Sequence, residues 1–138
     1  MSGVFTGFSE FGRPLADFLV RHPEARGAVL SDAEGDAVDF AHREERMSAL
    51  DVQILGAQVD RAASRLTAWN VARGHGACEI LIEASHGRLI CALIEGSYIL
   101  AALLDAASGD PDAHTVAATD VLASFRELRR EIEALLRA

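Results

Sequence analysis

The chain has no lysine. All 13 of its basic residues are arginine, set against 21 acidic ones, for a formal net charge of −8. That balance lacks the broad positive field that phosphate backbones select, so nucleic acid and anionic membrane surfaces are not expected partners. Exclusive use of arginine beside abundant alanine fits the coding bias of a GC-rich bacterial genome. Cysteine is almost as scarce: Cys78 and Cys91 are the only two, and they read as reduced core thiols of a cytoplasmic protein. The start carries no basic segment followed by an apolar run, and no stretch approaches the roughly 20 unbroken apolar residues of a membrane span. Catalytic signatures are missing too. There is no GxSxG elbow, P-loop, GxGxxG or HExxH, and neither cysteine has a second at metal spacing. The expectation is a non-enzyme with no catalytic residue, no metal and no cofactor.

What is present is organised around residues 76–104, which read as three consecutive strands joined by tight turns. Cys78, Ile80 and Ile82 alternate with Glu79, Leu81 and Glu83, the period of two of a strand with one face more buried. Residues 89–94 and 98–104 are apolar at almost every position, as in strands covered on both faces. A two-residue loop at His86-Gly87 predicts Ile82 opposite Cys91 and Ile80 opposite Leu93. A II′ turn at Gly96-Ser97 predicts Leu93 opposite Leu100 and Cys91 opposite Ala102. This register keeps the cysteines apart, and the strand at 77–84 becomes an edge whose backbone must be charged, covered or paired with another chain.

The remaining elements fall on either side. Residues 1–12 form an arm rich in Gly and Ser with Phe5, Phe8 and Phe11. The arm either packs on its own domain or is offered to a partner. Residues 13–138 read as a single domain. Pro14 opens a short helix carrying Leu15, Phe18 and Leu19 on one side, closed at His22-Pro23. Residues 28–40 read as a hairpin bent at 31–35, and the charged run 42–46 as a solvated loop. Ser48, with Asp51 three residues on, caps a long helix ending near Arg73-Gly74. Its stripe of Val52, Leu55, Val59, Ala62, Leu66 and Trp69 suits a sheet. A second stripe is small or polar: Gln53, Gly56, Ala57, Asp60, Ala63 and Ser64. It is either a plain solvent face or an approach surface for another backbone, since a helical glycine costs about 1 kcal/mol relative to alanine. Asp110-Pro111 opens a last helix with a stripe of Val121, Phe125, Leu128, Ile132 and Leu135.

Read in order, the elements are α-β-β-α-β-β-β-α. The segments GAVLSDAEGDAV, LGAQVDRAASRL and ILIEASHGRLICALIEGSYILAALL, in that order and spacing, resemble the Roadblock family, which includes dynein light chains of that name and bacterial MglB proteins. The likeness spans residues 15–135. It implies an α+β, Roadblock/profilin-like fold: a five-stranded antiparallel sheet with the long helix on one face and the first and last helices on the other. It also implies a homodimer joined through the edge strand and the long helix, with Gly56, Ala57, Ala63, Glu79, Leu81 and Glu83 at the interface. Bacterial members bind Ras-like small GTPases such as MglA, and some stimulate hydrolysis without inserting an arginine. Carried over, this makes Gln53, Asp60, Arg61 and Ser64 the expected partner-binding residues. The alternative is a scaffold or ligand-sensing module of the same fold with no effect on GTP hydrolysis.

Overall fold

The structure, a computed structural model, describes residues 3–7, 9–72, 79–94, 98–106 and 111–138; inside the two long helices, the side chains of residues 64, 66, 67, 69–72 and 111–118 lie outside that description. The elements are β1 (Val4–Thr6), α1 (Gly12–Arg21), β2 (Ala25–Ser31), β3 (Ala37–Arg43), α2 (Ala49–Ala72), β4 (Glu79–Ala84), β5 (Gly87–Ile94), β6 (Tyr98–Leu104) and α3 (Pro111–Arg137). The strands make one antiparallel sheet in the order β1-β3-β2-β6-β5-β4.

Six strands stand where five are expected, because the arm supplies β1. Val4–Thr6 pairs with residues 41–43 of β3, and Phe5 stacks on His42 at 5.9 Å between ring centroids. Behind it Ser9 donates its backbone N–H (2.7 Å) and its hydroxyl (2.6 Å) to the carboxylate of Asp39, which is fully buried. Gly7 and Gly12 sit against that carboxylate, where a Cβ on Gly12 would come within 3.1 Å of it.

Strand alternation sorts the core into two layers. Ala28, Leu30, Ala41, Ile90, Ala92, Leu100, Ala102 and Leu104 face α1 and α3, which contribute Leu15, Phe18, Leu19, Val121, Phe125, Leu128 and Ile132. Val29, Phe40, Cys91, Ile99 and Ala101 face α2, which contributes Val52, Val59 and Ala63.

Register differs from expectation at both turns of the meander. The first loop is Ser85-His86, so Ala84 faces Gly87, Ile82 faces Leu89 and Ile80 faces Cys91. That is a slip of two residues, which keeps every side chain on its predicted face. The second connection leaves three residues, 95–97, between Ile94 and Tyr98, so Cys91 faces Ala101 and Leu93 faces Ile99. The slip is of one residue and exchanges the faces of β6, sending Ala101 to the α2 layer and Ala102 to the other. The Gly96-Ser97 turn itself and Cys78 lie outside the described residues; Cys91 is buried.

The run 42–46 is no solvated loop at its start. His42 and Arg43 end β3 and are 3% and 7% exposed. Arg43 donates from Nε to the Ala25 carbonyl (2.8 Å) and from Nη2 to the carbonyls of Leu19 and His22. Leu19 and His22 are at the last turn and cap of α1, where unsatisfied carbonyls and the negative end of the helix dipole favour a cation.

Candidate functional site

α2 starts as its sequence requires: the Ser48 hydroxyl accepts the Asp51 N–H at 3.1 Å. Residues along it advance by about 100° each. Val52, Gly56, Val59 and Ala63 fall on the side that meets the sheet, and all four are buried. The small-residue stripe is therefore split. A methyl on Gly56 would run into Ser31 Oγ and stand 3.1 Å from Val29 Cγ2, so this glycine serves the approach of α2 to its own sheet. Gly56 and Ala63 are both buried on that side.

Gln53, Ala57 and Asp60 share one flank of α2, the one towards the β2–β3 turn. A Cβ on Gly35, which holds φ at +85°, would lie 3.5 Å from Ala57 Cα. Gln53 spends its amide on the Ala49 carbonyl at 3.1 Å. Arg61 is exposed on the outward side, with Leu50 (65% exposed) and Ile54 (49%) before it on the same side and Arg65 one turn after. The side chain of Ser64 lies outside the described residues. Of the four expected partner-binding residues, then, Gln53 and Asp60 share one flank and Arg61 projects from another side.

The opposite flank holds what the sequence reading placed in the core. Leu55 is half-buried and Ala62 exposed; with Gln58, Val59 and Ala63 they face Ile80, Ile82, Leu89 and Cys91 across an apolar groove of about 270 Å³. Ile82 is 48% exposed in it. One helix covers β2, β3 and β6 on this face but leaves β5 and β4 partly bare.

β4 ends the sheet, and among the described residues no strand pairs with its outer edge. A two-residue loop closes on a hydrogen-bonded pair, here Ala84 and Gly87, so Ile80, Ile82 and Ala84 turn their backbone groups to β5. Glu79, Leu81 and Glu83 turn theirs outward, as the edge reading requires. Their side chains face the other layer. Leu81 packs on the α1/α3 core, and Glu79 accepts from Arg126 Nε at 2.8 Å with Arg129 at 3.7 Å. Burial pushes the Glu79 carboxyl up, but the hydrogen bonds from Arg126 and its own backbone, with the charges of Arg126 and Arg129, outweigh it and hold the group below the usual carboxylate range.

The far end of the sheet is tied electrostatically. Asp105 accepts from Arg46 and from Arg26 Nε (2.7 Å), while its carbonyl accepts from Arg88 Nε at 2.8 Å. The hydrogen bond from Arg46 is the largest cause that lowers the Asp105 carboxyl pKa, and Asp105 in turn raises that of Arg46. No group of three or more His, Cys, Asp or Glu able to hold a metal occurs among the described residues, and no described helix is long and apolar enough to cross a membrane.

One antiparallel sheet with a lone long helix on one face and two helices on the other is the Roadblock/LC7 fold, and comparison with solved structures bears this out. The chain is similar to MglB of Myxococcus xanthus, with 13% identity over 94% of this chain and 98% of that one and a TM-score of 0.68. It is similar to a Roadblock/LC7 domain of Streptomyces avermitilis at 14% identity, covering 91% and 97%, with a TM-score of 0.73. The gliding protein MglB of Thermus thermophilus gives 14%, 91%, 95% and 0.60. The likeness is one of fold. No family model and no curated protein matches the sequence.

Sequence reasoning missed Leu55, Gln58, Ala62, Ile80, Ile82 and Leu89 as one surface. The available signal was the width of the apolar arc on α2, which takes in Leu55 and Ala62 beyond the line through Val52 and Val59. A single helix on a twisted sheet buries only part of so wide an arc.

Proposed function

We propose that the chain is a non-catalytic homodimer that binds and regulates a Ras-like small GTPase of the MglA kind. The observation that carries this reading is the half-covered α2 face: a β4 edge that no strand among the described residues pairs, beside an apolar groove. A two-fold mate pairing along Glu79, Leu81 and Glu83 extends the sheet and brings apolar surface over Leu55, Ile80 and Ile82, removing both the open edge and the groove from water. The outward stripe of α2, with Leu50, Ile54, Arg61 and Arg65, then stands on one surface of the dimer. Apolar anchors beside arginines are the composition that protein interfaces favour.

Nucleotide dependence follows from the partner's chemistry: loops ordered by the γ-phosphate present a surface that they lose after hydrolysis. One GTPase lying across the two-fold axis blocks its symmetric copy, so the expected stoichiometry is one per dimer. The test is calorimetric titration of a Ras-like GTPase encoded beside this chain, loaded with a non-hydrolysable GTP analogue and then with GDP. The triphosphate form is expected to bind more tightly, with Arg61→Ala weakening it roughly tenfold and Asp60→Ala less. Equal binding of both nucleotide states removes the regulator reading. Absence of binding in either state favours a scaffold or ligand-sensing role for the same fold.

A further inference from the structure

A second groove lies on the other layer, between α1 and α3. The two helices are closed against each other at one end, where Phe18 meets Phe125 edge to face at 6.4 Å and Arg21 bonds Glu127 at 3.3 Å. Towards Pro14 they part. Pro14, Leu135 and the exposed Ala134 give an apolar lining to a trough of about 510 Å³, and the exposed Glu10, Arg13, Asp17 and Glu131 stand around it. Among the described residues none of these four forms an ion pair or a side-chain hydrogen bond, whereas their neighbours Arg21, Glu127, Arg129 and Glu133 are all paired. Three carboxylates against one guanidinium leave the rim acidic and uncompensated around an apolar lining.

We propose that this trough docks an amphipathic helix of another protein, one whose apolar stripe is flanked by Arg or Lys. The trough runs between two helices, and its apolar lining is side-chain surface rather than the open edge of a sheet. A helix needs only an apolar groove for its stripe. The rim selects the flanking charge: cations meet Glu10, Asp17 and Glu131, and Arg13 takes an acid. Anionic lipid is repelled by the same carboxylates. The trough lies across the sheet from α2, so this partner and one on the α2 face bind without competing.

The probe is a labelled, end-capped peptide of about 15 residues, long enough for helix formation on a surface, with leucines at steps of three and four and arginines beside them. Its control has the same composition with the leucines scattered. Fluorescence anisotropy against the full chain is expected to give micromolar binding of the first peptide and roughly tenfold weaker binding of the second. Asp17→Arg with Glu131→Arg should weaken binding roughly tenfold or more, and Ala134→Trp, which puts a large ring into the trough from an exposed lining position, should abolish it with the melting temperature kept. Glu34→Arg, on the distant β2–β3 turn, should leave it unchanged. Equal binding of both peptides, or equal loss in Glu34→Arg, reduces the effect to net charge and overturns the proposal. So does no binding, or self-association of the chain that Ala134→Trp blocks, which would assign the trough to a second copy.

Discussion

The two faces of the sheet are built from similar residues and finished differently. On the α1/α3 face the helices contribute Leu15, Phe18, Leu19, Phe125 and Ile132, every one buried to within 2%. On the α2 face one helix reaches only part of the sheet, Ile82 and Ile54 stay about half exposed, and the strand below has no outer neighbour among the described residues. The first face closes over a fully buried core and leaves apolar surface open only in the trough between α1 and α3. The second leaves apolar surface open beside a strand edge, the feature on which the proposed homodimer rests. The lesson is that the closely packed layer and the strand edge on which the proposed homodimer rests are finished differently, and substitutions can test the division.

The sharpest contrast is expected from the closed face. Phe125→Ala removes a fully buried ring that touches Phe18 and should cost about 3–5 kcal/mol in chemical denaturation, enough to unfold much of a marginal domain. A loss below about 1 kcal/mol would mean that this layer repacks freely and that the division is wrong.

Next in size is Arg43→Met, which keeps the stem and deletes the donors that reach the carbonyls of Leu19 and Ala25. Leaving buried carbonyls without this partner should cost about 2 kcal/mol, with hydrogen exchange in the last turn of α1 accelerated more than elsewhere. Uniform acceleration across the chain would argue against a local cap.

Asp105 gives a smaller, pH-dependent effect. Its carboxyl pKa is lowered in the folded state, so its contribution is present above the ordinary carboxylate range and is lost as pH falls through the lowered value. Glu79 is lowered in the same sense. Stability should decline from mildly acidic pH downward. Asp105→Asn should cost up to about 1 kcal/mol at neutral pH, since the pair is about a third exposed, and should flatten the acid limb. An acid limb unchanged in the variant would assign that decline to other carboxylates.

Much of this was legible in the sequence, and the failures have physical causes. The stripe of Val121, Phe125, Leu128 and Ile132 reads directly because each residue repeats at steps of three and four. All four are buried. The β1 strand is illegible because three residues show no alternation. Arg43 reads as solvated in the sequence because its partners are backbone carbonyls about 20 residues earlier, which no pattern of carboxylates marks. The faces of β6 differ from expectation because Gly96-Ser97 suggests a two-residue turn, whereas Ile94 pairs with Tyr98. At the candidate site the edge backbone of Glu79, Leu81 and Glu83 was readable from alternation, but the sides of α2 were not. Helical spacing groups Gly56 and Ala63 with Ala57, and only the sheet decides which of them it covers.

That last point gives the prediction with the smallest effect on the isolated chain and the most direct bearing on the comparison. Ile82 sits in the groove beside β4, half exposed, whereas Ala57 is exposed on the opposite flank of α2, beside Gly35. Neither carries core packing, so Ile82→Arg and Ala57→Arg should each change unfolding stability by only about 0.5 kcal/mol when measured on monomer. Their effects on assembly should diverge. A mate that pairs along the β4 edge must bury Ile82, and an arginine there has either to leave or to be desolvated, so light scattering at micromolar concentration should report monomer. Ala57→Arg, displaced to the far flank by the turn of the helix, should remain a dimer. If Ala57→Arg dissociates and Ile82→Arg does not, the mate approaches from the β2–β3 side, and the groove over β4 and β5 has some other occupant.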